Sequence, residues 1–96
     1  DIRLATATYL ELLAGARSPE EQRRIKRFVQ GYAVLSLGPM ASSRAVELML
    51  EAGLKDGLQP LQALAAATAL AHEIPLVTTD SAPYRSIADL DLIAPY

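Results

Sequence analysis

The chain has 96 residues, a formal net charge of −2 and 51% hydrophobic residues. This length predicts one domain, and this composition is typical of a globular protein rather than a disordered one. The small negative charge excludes a global attraction to nucleic acid, so RNA or DNA binding would need a local basic patch. There is no cysteine, which excludes disulfides and thiolate metal sites and favours a cytoplasmic location.

Histidine occurs once, as His72, and this excludes a metal site built from several histidines. Any metal would therefore be held by oxygen ligands, which favour Mg²⁺ or Mn²⁺. Charged or polar residues interrupt every apolar run, so no segment is predicted to span a bilayer and we expect no membrane partner.

The first elements are predicted to be a strand and a helix. Ile2 to Ala5 is a short apolar stretch with the character of a strand. The helical spacing that follows places three residues on one face, and Gly15 is a plausible stop. That predicted face consists of Leu10, Leu13 and Ala14.

A second helix is indicated by its start signals. Ser18 can cap it, Pro19 suits the first helical position, and Glu21 completes a capping box. Gly31 is predicted to end this helix. Its apolar face consists of Ile25, Phe28 and Val29.

The segment YAVLSL, residues 32–37, predicts a strand that is buried on both sides, because its apolar residues do not alternate with polar ones. Gly38 and Pro39 break this strand and open a third helix, predicted from Met40 to Lys55. Its buried stripe is predicted to consist of Ala41, Ala45, Leu48 and Ala52.

The last part of the chain predicts one more helix and two strands. Pro60 opens a helix that runs to about Glu73, and Leu76 to Thr79 is a strand. Residues 80–86 form a loop or a short helical turn, and residues 90–96 contain the final strand. Apolar strands that alternate with helices predict an α/β fold, a parallel sheet covered by helices. In such sheets the functional site lies beyond the carboxyl ends of the strands.

Asp80 directly follows a strand and is therefore a candidate site residue at that edge. Thr78 and Thr79 stand beside it, and a hydroxyl there can hydrogen-bond the carboxylate or a water. The alternative is a turn-initiating aspartate, since Asp-Ser is favourable turn chemistry.

Glu11 and Gln62 are the other polar residues near predicted helix starts. Glu11 can point over the same edge as Asp80, or it can form a capping box with Thr8. Gln62 lies in the first helical turn after Pro60, where a carboxylate would be favoured and could hold a metal. On its own, Gln62 is most simply a hydrogen-bonding helix residue.

The remaining polar features favour structural roles. His72, near the end of its helix, suits the helix dipole, and no partner nucleophile accompanies it. A basic cluster is interpreted as a solvated helix face, with contact to an RNA backbone as the alternative. This cluster consists of Arg17, Arg23, Arg24, Lys26 and Arg27.

Three segments carry a resemblance to a known family. Residues 5–15 read ATATYLELLAG, in which a glutamate precedes Leu-Leu-x-Gly. Residues 57–80 read GLQPLQALAAATALAHEIPLVTTD, an alanine-rich helix followed by a strand that ends Leu-Val-Thr-x-Asp. Residues 84–96 read YRSIADLDLIAPY, with an aromatic, an isoleucine and a Pro-Tyr ending. In this order they resemble a PIN domain, specifically the toxin ribonucleases of bacterial VapBC toxin–antitoxin pairs.

The resemblance implies a three-layer PIN-like fold and a Mg²⁺- or Mn²⁺-dependent endoribonuclease. Carried over by motif, Glu11 and Asp80 are metal-binding catalytic carboxylates, and Thr78 supports them. Gln62 stands where the family pattern has a metal-binding aspartate, so we expect reduced metal affinity and weakened or absent activity. The family's first strand, with its own aspartate, would lie upstream of Asp1, so residues 1–96 are expected to form one PIN-like domain lacking that strand.

The resemblance also implies partners, namely an RNA substrate, an antitoxin protein and a second copy of the chain. A strand missing from inside the sheet would leave apolar strand edges that another segment or a dimer could fill. The alternative is a non-catalytic PIN-like module that pairs with an antitoxin or with itself. An accidental resemblance would require three segments to match in order by chance.

Overall fold

The computed structural model describes residues 3–95 as an α/β chain. The predicted order of elements is confirmed, with shorter strands than expected and with a 3₁₀ turn at Ala82–Tyr84. The predicted first and last strands include Ile2 and Tyr96, which lie outside the described residues. No helix in residues 3–95 has the length and apolar character needed to cross a membrane. The elements are β1 (Arg3–Ala5), α1 (Thr6–Ala14), α2 (Pro19–Val29), β2 (Ala33–Leu35), α3 (Pro39–Asp56), α4 (Pro60–His72), β3 (Leu76–Val77) and β4 (Leu92–Ile93).

The strands pair in parallel, as predicted from their apolar character. β1 pairs with β2 and β3 pairs with β4. Residues 3–95 thus form two two-stranded sheets rather than one continuous sheet. Leu4 of β1 and Val77 of β3 belong to the same hydrophobic cluster, so the two sheets share a core. The segments that follow β1 and β3 therefore start in the same part of the molecule.

The burial predicted for the second strand is wrong. In β2, Ala33 and Val34 are exposed, Val34 at 44% of its surface. An apolar strand is buried only where other layers cover it, and β2 packs mainly against β1. The Thr6 hydroxyl donates to the carbonyl oxygen of Leu35 at 2.7 Å, which ties the end of β2 to the start of α1.

The second helix begins and ends close to the predicted positions. Pro19 occupies the first turn, and Ser18 Oγ accepts the backbone N–H of Glu21 at 3.2 Å. The Glu21 carboxylate accepts the N–H of Arg17 at 2.9 Å, one residue before the predicted capping-box partner. The predicted apolar face is confirmed, with Ile25 and Val29 buried and Phe28 partly buried.

The centre of the molecule is the contact between α3 and α4. The buried stripe predicted for α3 is confirmed, and Gly57 caps the end of α3 with a φ of 73°, which glycine adopts without strain. Small side chains on α4 let α1 and α3 approach its backbone closely, so α4 packs against both. The α4 residues with no exposed surface are Ala63, Ala65, Ala66, Ala67 and Thr68.

Of the apolar face predicted for α1, Leu13 is partly buried against the core, but the other two residues are exposed. Leu10 is 49% exposed and Ala14 is exposed. The buried residues are instead Ala7, Thr8 and Leu12. Ala7 packs in the cluster around α4, and Leu12 packs in the cluster that includes α2. The position of α1 between α4 and α2 therefore decides its buried side, rather than the size of its apolar side chains.

Candidate active site

The Glu11 carboxylate lies on the half-buried side of α1. The alternative for Glu11, a capping box with Thr8, is excluded because α1 begins at Thr6 and Thr8 is itself only 1% exposed. Glu11 instead accepts a hydrogen bond from the Tyr84 hydroxyl, which lies 3.2 Å from Oε2 and 3.4 Å from Oε1. A carboxylate on a helix face is thereby held by a residue far away in sequence.

Burial raises the pKa of Glu11 above its ordinary value. Hydrogen bonds from Gln62 and Tyr84 act in the opposite direction, and the negative charge of Asp80 adds to the increase. Glu11, Gln62, Asp80 and Tyr84 therefore lie close enough to influence one carboxylate. These groups include the two carboxylates and the glutamine that the sequence singled out.

Tyr84 is the member of this group that sequence reasoning missed. It ends the 3₁₀ turn, is 2% exposed, and its hydroxyl donates to the Glu11 carboxylate. Burial, and then the charge of Glu11, raise the pKa of Tyr84 above its ordinary range. The phenol therefore stays protonated and donates. The sequence signal was the aromatic at the start of the tail segment, which gave no indication of a hydroxyl contact.

Gln62 lies in the first turn of α4. Its Oε1 accepts the backbone N–H of Gln59 at 2.9 Å, which satisfies one of the free donors at the helix start. Hydrogen bonding by Gln62 is also the largest effect that lowers the pKa of Glu11.

Thr78 and Asp80 form the turn after β3. Thr78 Oγ1 accepts the N–H of Asp80 at 3.2 Å and donates to the carbonyl oxygen of Asp80 at 3.1 Å. The predicted contact of the Thr78 hydroxyl with the Asp80 carboxylate is therefore replaced by contacts with the Asp80 backbone. Asp80 Oδ1 accepts the N–H of Ala82 at 3.1 Å, as expected of a turn-initiating aspartate. Asp80 and Thr79 are exposed, and Asp80 still raises the pKa of Glu11.

The 3₁₀ turn that carries Tyr84 is fixed by Asp56 at the end of α3. Arg85 Nε lies 3.0 Å from Asp56 Oδ1, and only 4% of the Asp56 side chain is exposed. A hydrogen bond from Ser86, and then the charge of Arg85, lower the pKa of Asp56. This ion pair holds the turn against α3 and so supports the position of the neighbouring Tyr84 hydroxyl.

The site offers two carboxylates to a divalent cation. Mg²⁺ is commonly bound by one or two carboxylates with waters completing its shell, so Glu11 and Asp80 meet the minimum requirement. Gln62 does not add a third ligand in this arrangement, because its side-chain oxygen accepts the N–H of Gln59. Within residues 3–95 no cluster of three or more His, Cys, Asp or Glu side chains is arranged to hold a metal ion.

The other candidates lie apart from this group. His72 is exposed at the end of α4, away from the first turn of that helix.

A cleft of about 70 Å³ between α1 and α2 lies beside Glu11. α2 exposes most of the basic cluster, namely Arg23, Arg24, Lys26 and Arg27. The cleft is lined by Glu11, Leu12, Gly15, Glu21, Ile25 and Thr79.

Comparison with solved structures shows the same fold in toxin–antitoxin proteins. The chain is similar to a chain of VapBC2 from Rickettsia felis bound to a promoter DNA fragment (TM-score 0.68, 21% identity), covering 94% of this chain and 71% of that one. It is also similar to a chain of a toxin–antitoxin complex from Klebsiella pneumoniae (TM-score 0.65, 22% identity), covering 96% and 72%. A third is VapBC-5 from Mycobacterium tuberculosis (TM-score 0.63, 18% identity), covering 94% and 79%.

The family comparison agrees with this fold. No curated protein matches the chain. A model of the PIN domain family matches residues 1–90. That match covers most of the 96 residues, and the α/β architecture with parallel strands is the one expected of the family. The chain therefore belongs to the PIN domain family.

Proposed function

We propose that this protein is a divalent-metal-dependent endoribonuclease of toxin–antitoxin type, with activity weakened by Gln62. The main support is the half-buried Glu11 carboxylate, which is held by Tyr84 and lies within electrostatic reach of Asp80. A partly buried carboxylate next to a second carboxylate carries a free-energy cost in its charged form unless a cation or hydrogen-bond donors offset the charge. Such pairs are suited to hold Mg²⁺ or Mn²⁺.

Glu11 and Asp80 would hold the ion. When bound, such an ion activates water and offsets negative charge on the phosphate that is cleaved. The chain's own residues orient the carboxylates. Tyr84 donates to Glu11, and Thr78 fixes the Asp80 backbone. The exposed basic residues of α2, a helix that also lines the cleft beside Glu11, are suited to the phosphates of an RNA strand.

The test is cleavage of single-stranded RNA in the presence of Mg²⁺ or Mn²⁺. Because a metal supplies several kcal/mol of charge stabilisation, Glu11→Gln and Asp80→Asn should each lose about 100-fold or more in rate. Asp91→Asn, an exposed aspartate near β4, is the matched control and should retain full activity. Cleavage that survives a chelator, or equal rates in all variants, would contradict the proposal.

A protein partner is part of this proposal, since the similar solved structures are described as toxin–antitoxin complexes. α3 exposes an apolar stripe, with Val46 at 63%, Leu50 at 83% and Leu54 fully exposed. We propose that a second copy of the chain covers this stripe and that an antitoxin binds the resulting dimer. Light scattering should show a dimer that Leu50→Glu converts to a monomer; a monomeric wild type would exclude the dimer.

A second candidate function is a non-catalytic PIN module that retains the fold to bind an antitoxin or itself. The observation that favours it is Gln62, which stands where the family pattern has a metal-binding aspartate and whose side-chain oxygen accepts the N–H of Gln59. The two candidates differ in one measurement. A wild type that binds its partner but does not cleave RNA at any Mn²⁺ concentration is the module, whereas metal-dependent cleavage identifies the nuclease.

A further inference from the structure

We propose that the peptide bond between Asp56 and Gly57 is a site of isomerisation to isoaspartate, and that the ion pair with Arg85 protects it in the folded chain. The site lies at the end of α3. It involves neither Glu11 nor Asp80, so the inference is independent of the proposed function. It rests on the chemistry of the Asp-Gly sequence and on the contacts that surround Asp56.

The Asp-Gly sequence favours attack of the main chain on the aspartate side chain, because glycine has no Cβ to shield its nitrogen. The nitrogen of Gly57 forms a bond to Cγ of Asp56, and the carboxyl hydroxyl leaves with the amide proton as water. Water then opens the resulting cyclic imide. Opening at the main-chain carbonyl gives isoaspartate, so one water leaves, one water enters and no other reactant is consumed.

The carboxyl group of Asp56 is held by Arg85. Arg85 Nε lies 3.0 Å from Asp56 Oδ1, and only 4% of the Asp56 side chain is exposed. The guanidinium is itself fixed, because its Nη1 donates to the carbonyl oxygen of Ala82 at 3.0 Å. Rotation of the carboxyl group toward its own main chain therefore requires that the ion pair with the turn breaks.

The nitrogen of Gly57 is also engaged in the folded chain. Its N–H donates to the carbonyl oxygen of Ala52, and the N–H of Leu58 donates to the same oxygen at 3.3 Å. Leu58 is 1% exposed, which anchors the residues after α3 in the core. The cyclic imide requires Gly57 to lose its proton and to approach Cγ of Asp56. These contacts therefore oppose the reaction.

The cover over Asp56 can open without unfolding of the core. The Arg85 side chain is 59% exposed, and Gly57 is exposed. Water screens an ion pair that has an exposed partner and weakens it. Local opening of a surface turn requires less free energy than global unfolding. The rate of isomerisation should therefore follow the opening of this turn rather than the stability of the whole chain.

Isomerisation would change the end of α3 permanently. Isoaspartate inserts one methylene group into the main chain and attaches its carboxylate directly to the main chain. A carboxylate displaced in this way should lose Arg85. The modified chain would therefore no longer hold the 3₁₀ turn against α3.

The experiment incubates the purified protein at neutral pH and physiological temperature and measures isoaspartate at residue 56 by peptide mapping. The protease Asp-N cuts before aspartate but not before isoaspartate, so the uncut peptide reports the modification. Arg85→Gln should accelerate isomerisation by at least about tenfold over wild type, because it removes the ion pair. A synthetic peptide of residues 52–60 lacks the fold and should react at least about 100-fold faster than the wild-type protein.

Two controls separate local opening from other effects. Arg44→Gln removes another arginine ion pair of α3 and should leave the rate unchanged. Val29→Ala lowers the global stability through a buried side chain of α2 and should change the rate by less than about twofold. Arg85→Lys keeps the charge but loses the contact with Ala82, so its rate should lie between those of wild type and Arg85→Gln. It provides the same test should Arg85→Gln not fold.

The results that would overturn the inference are specific. If Val29→Ala accelerates isomerisation as much as Arg85→Gln does, the reaction follows global unfolding and Arg85 does not protect the site. A wild-type protein that reacts as fast as the peptide would show that the fold gives no protection. Rates for Arg85→Gln and Arg85→Lys that equal the wild-type rate would exclude the ion pair as the cause.

Discussion

Replacing Tyr84 by phenylalanine removes one oxygen atom from the candidate site and leaves the ring in place. The ring is 2% exposed, so its packing should not change. The lost hydroxyl is the one that lies 3.2 Å and 3.4 Å from the two Glu11 oxygens. Tyr84→Phe therefore tests whether this contact organises the Glu11 carboxylate.

The expected loss follows from the charge and burial of the acceptor. A hydrogen bond to a charged group contributes about 1.5–3 kcal/mol. Glu11 is only half-buried and keeps its bond to Gln62, so the low end applies and the free energy of unfolding should fall by about 1.5 kcal/mol. For a domain of this size, that corresponds to a decrease in melting temperature of about 6–12 °C.

The assay is equilibrium unfolding in urea, followed by circular dichroism. Tyr84→Phe should lower the urea midpoint by about 1 M without changing the slope of the transition. Tyr32→Phe is the control, because it removes the hydroxyl of a partly buried tyrosine whose ring packs on Phe28 at 4.9 Å between centroids. The free energy of unfolding of Tyr32→Phe should lie within about 0.5 kcal/mol of the wild-type value.

A double-mutant cycle with Glu11→Gln identifies the partner of the hydroxyl. If Tyr84 acts on Glu11, the two substitutions should be coupled by about 1 kcal/mol. Tyr84→Phe with the same stability as Tyr32→Phe, or no coupling in the cycle, would refute the reasoning that links the tail of the chain to α1.

Glu11→Gln should raise the melting temperature by a few degrees at neutral pH. Burial raises the pKa of Glu11, so the wild type loses stability as pH rises through that pKa. In thermal scans, the difference in melting temperature between Glu11→Gln and wild type should shrink as the pH is lowered toward 4.5. A difference that does not depend on pH would contradict this prediction. Asp56→Asn should lower the free energy of unfolding at neutral pH, because Ser86 and Arg85 lower the pKa of Asp56 and so stabilise its charged form. Acid titration of both proteins should show this difference in stability disappear as the pH falls below 3.8. A loss that persists in acid would exclude this cause. Ala66→Leu should cost about 1–3 kcal/mol in urea unfolding, because α4 has no space there, and a stabilised variant would reveal a cavity.

The helical part of the fold was predictable where one apolar stripe meets one neighbour. On α3, small residues and Leu48 recur at helical spacing, and this stripe packs on α4 as predicted. α1 was not predictable in this way because it lies between two helices. Its inward side is divided between Ala7 and Leu12, while the larger Leu10 is half-exposed. Hydrophobic periodicity identifies one apolar face of a helix, so it does not predict the buried residues of a helix that packs on two neighbours.

The residues of the candidate site were predicted from motifs, but their contacts were not. Glu11, Gln62 and Asp80 come together from separate elements, and the resemblance had already grouped them. Tyr84 was missed because its role depends on a turn held by Asp56, and no local pattern joins those residues. Polar contacts between residues far apart in sequence depend on the packed fold. Short-range patterns therefore carry no signal for them.

Because α4 lies at the centre of the molecule, the two parts of the candidate site should open locally at different rates. Backbone amides in the fully buried middle of α4 should exchange with deuterated solvent only on global unfolding, whereas the exposed residues 79–82 should exchange through local opening. Glu11, on the helix that packs against α4, should therefore belong to a slow-opening unit, and Asp80 should belong to a fast one bounded by Thr78 and Pro83, which are both buried. Any ligand that bridges Glu11 and Asp80 must immobilise the segment that carries Asp80. The conformational entropy which that segment loses lowers the affinity of the ligand.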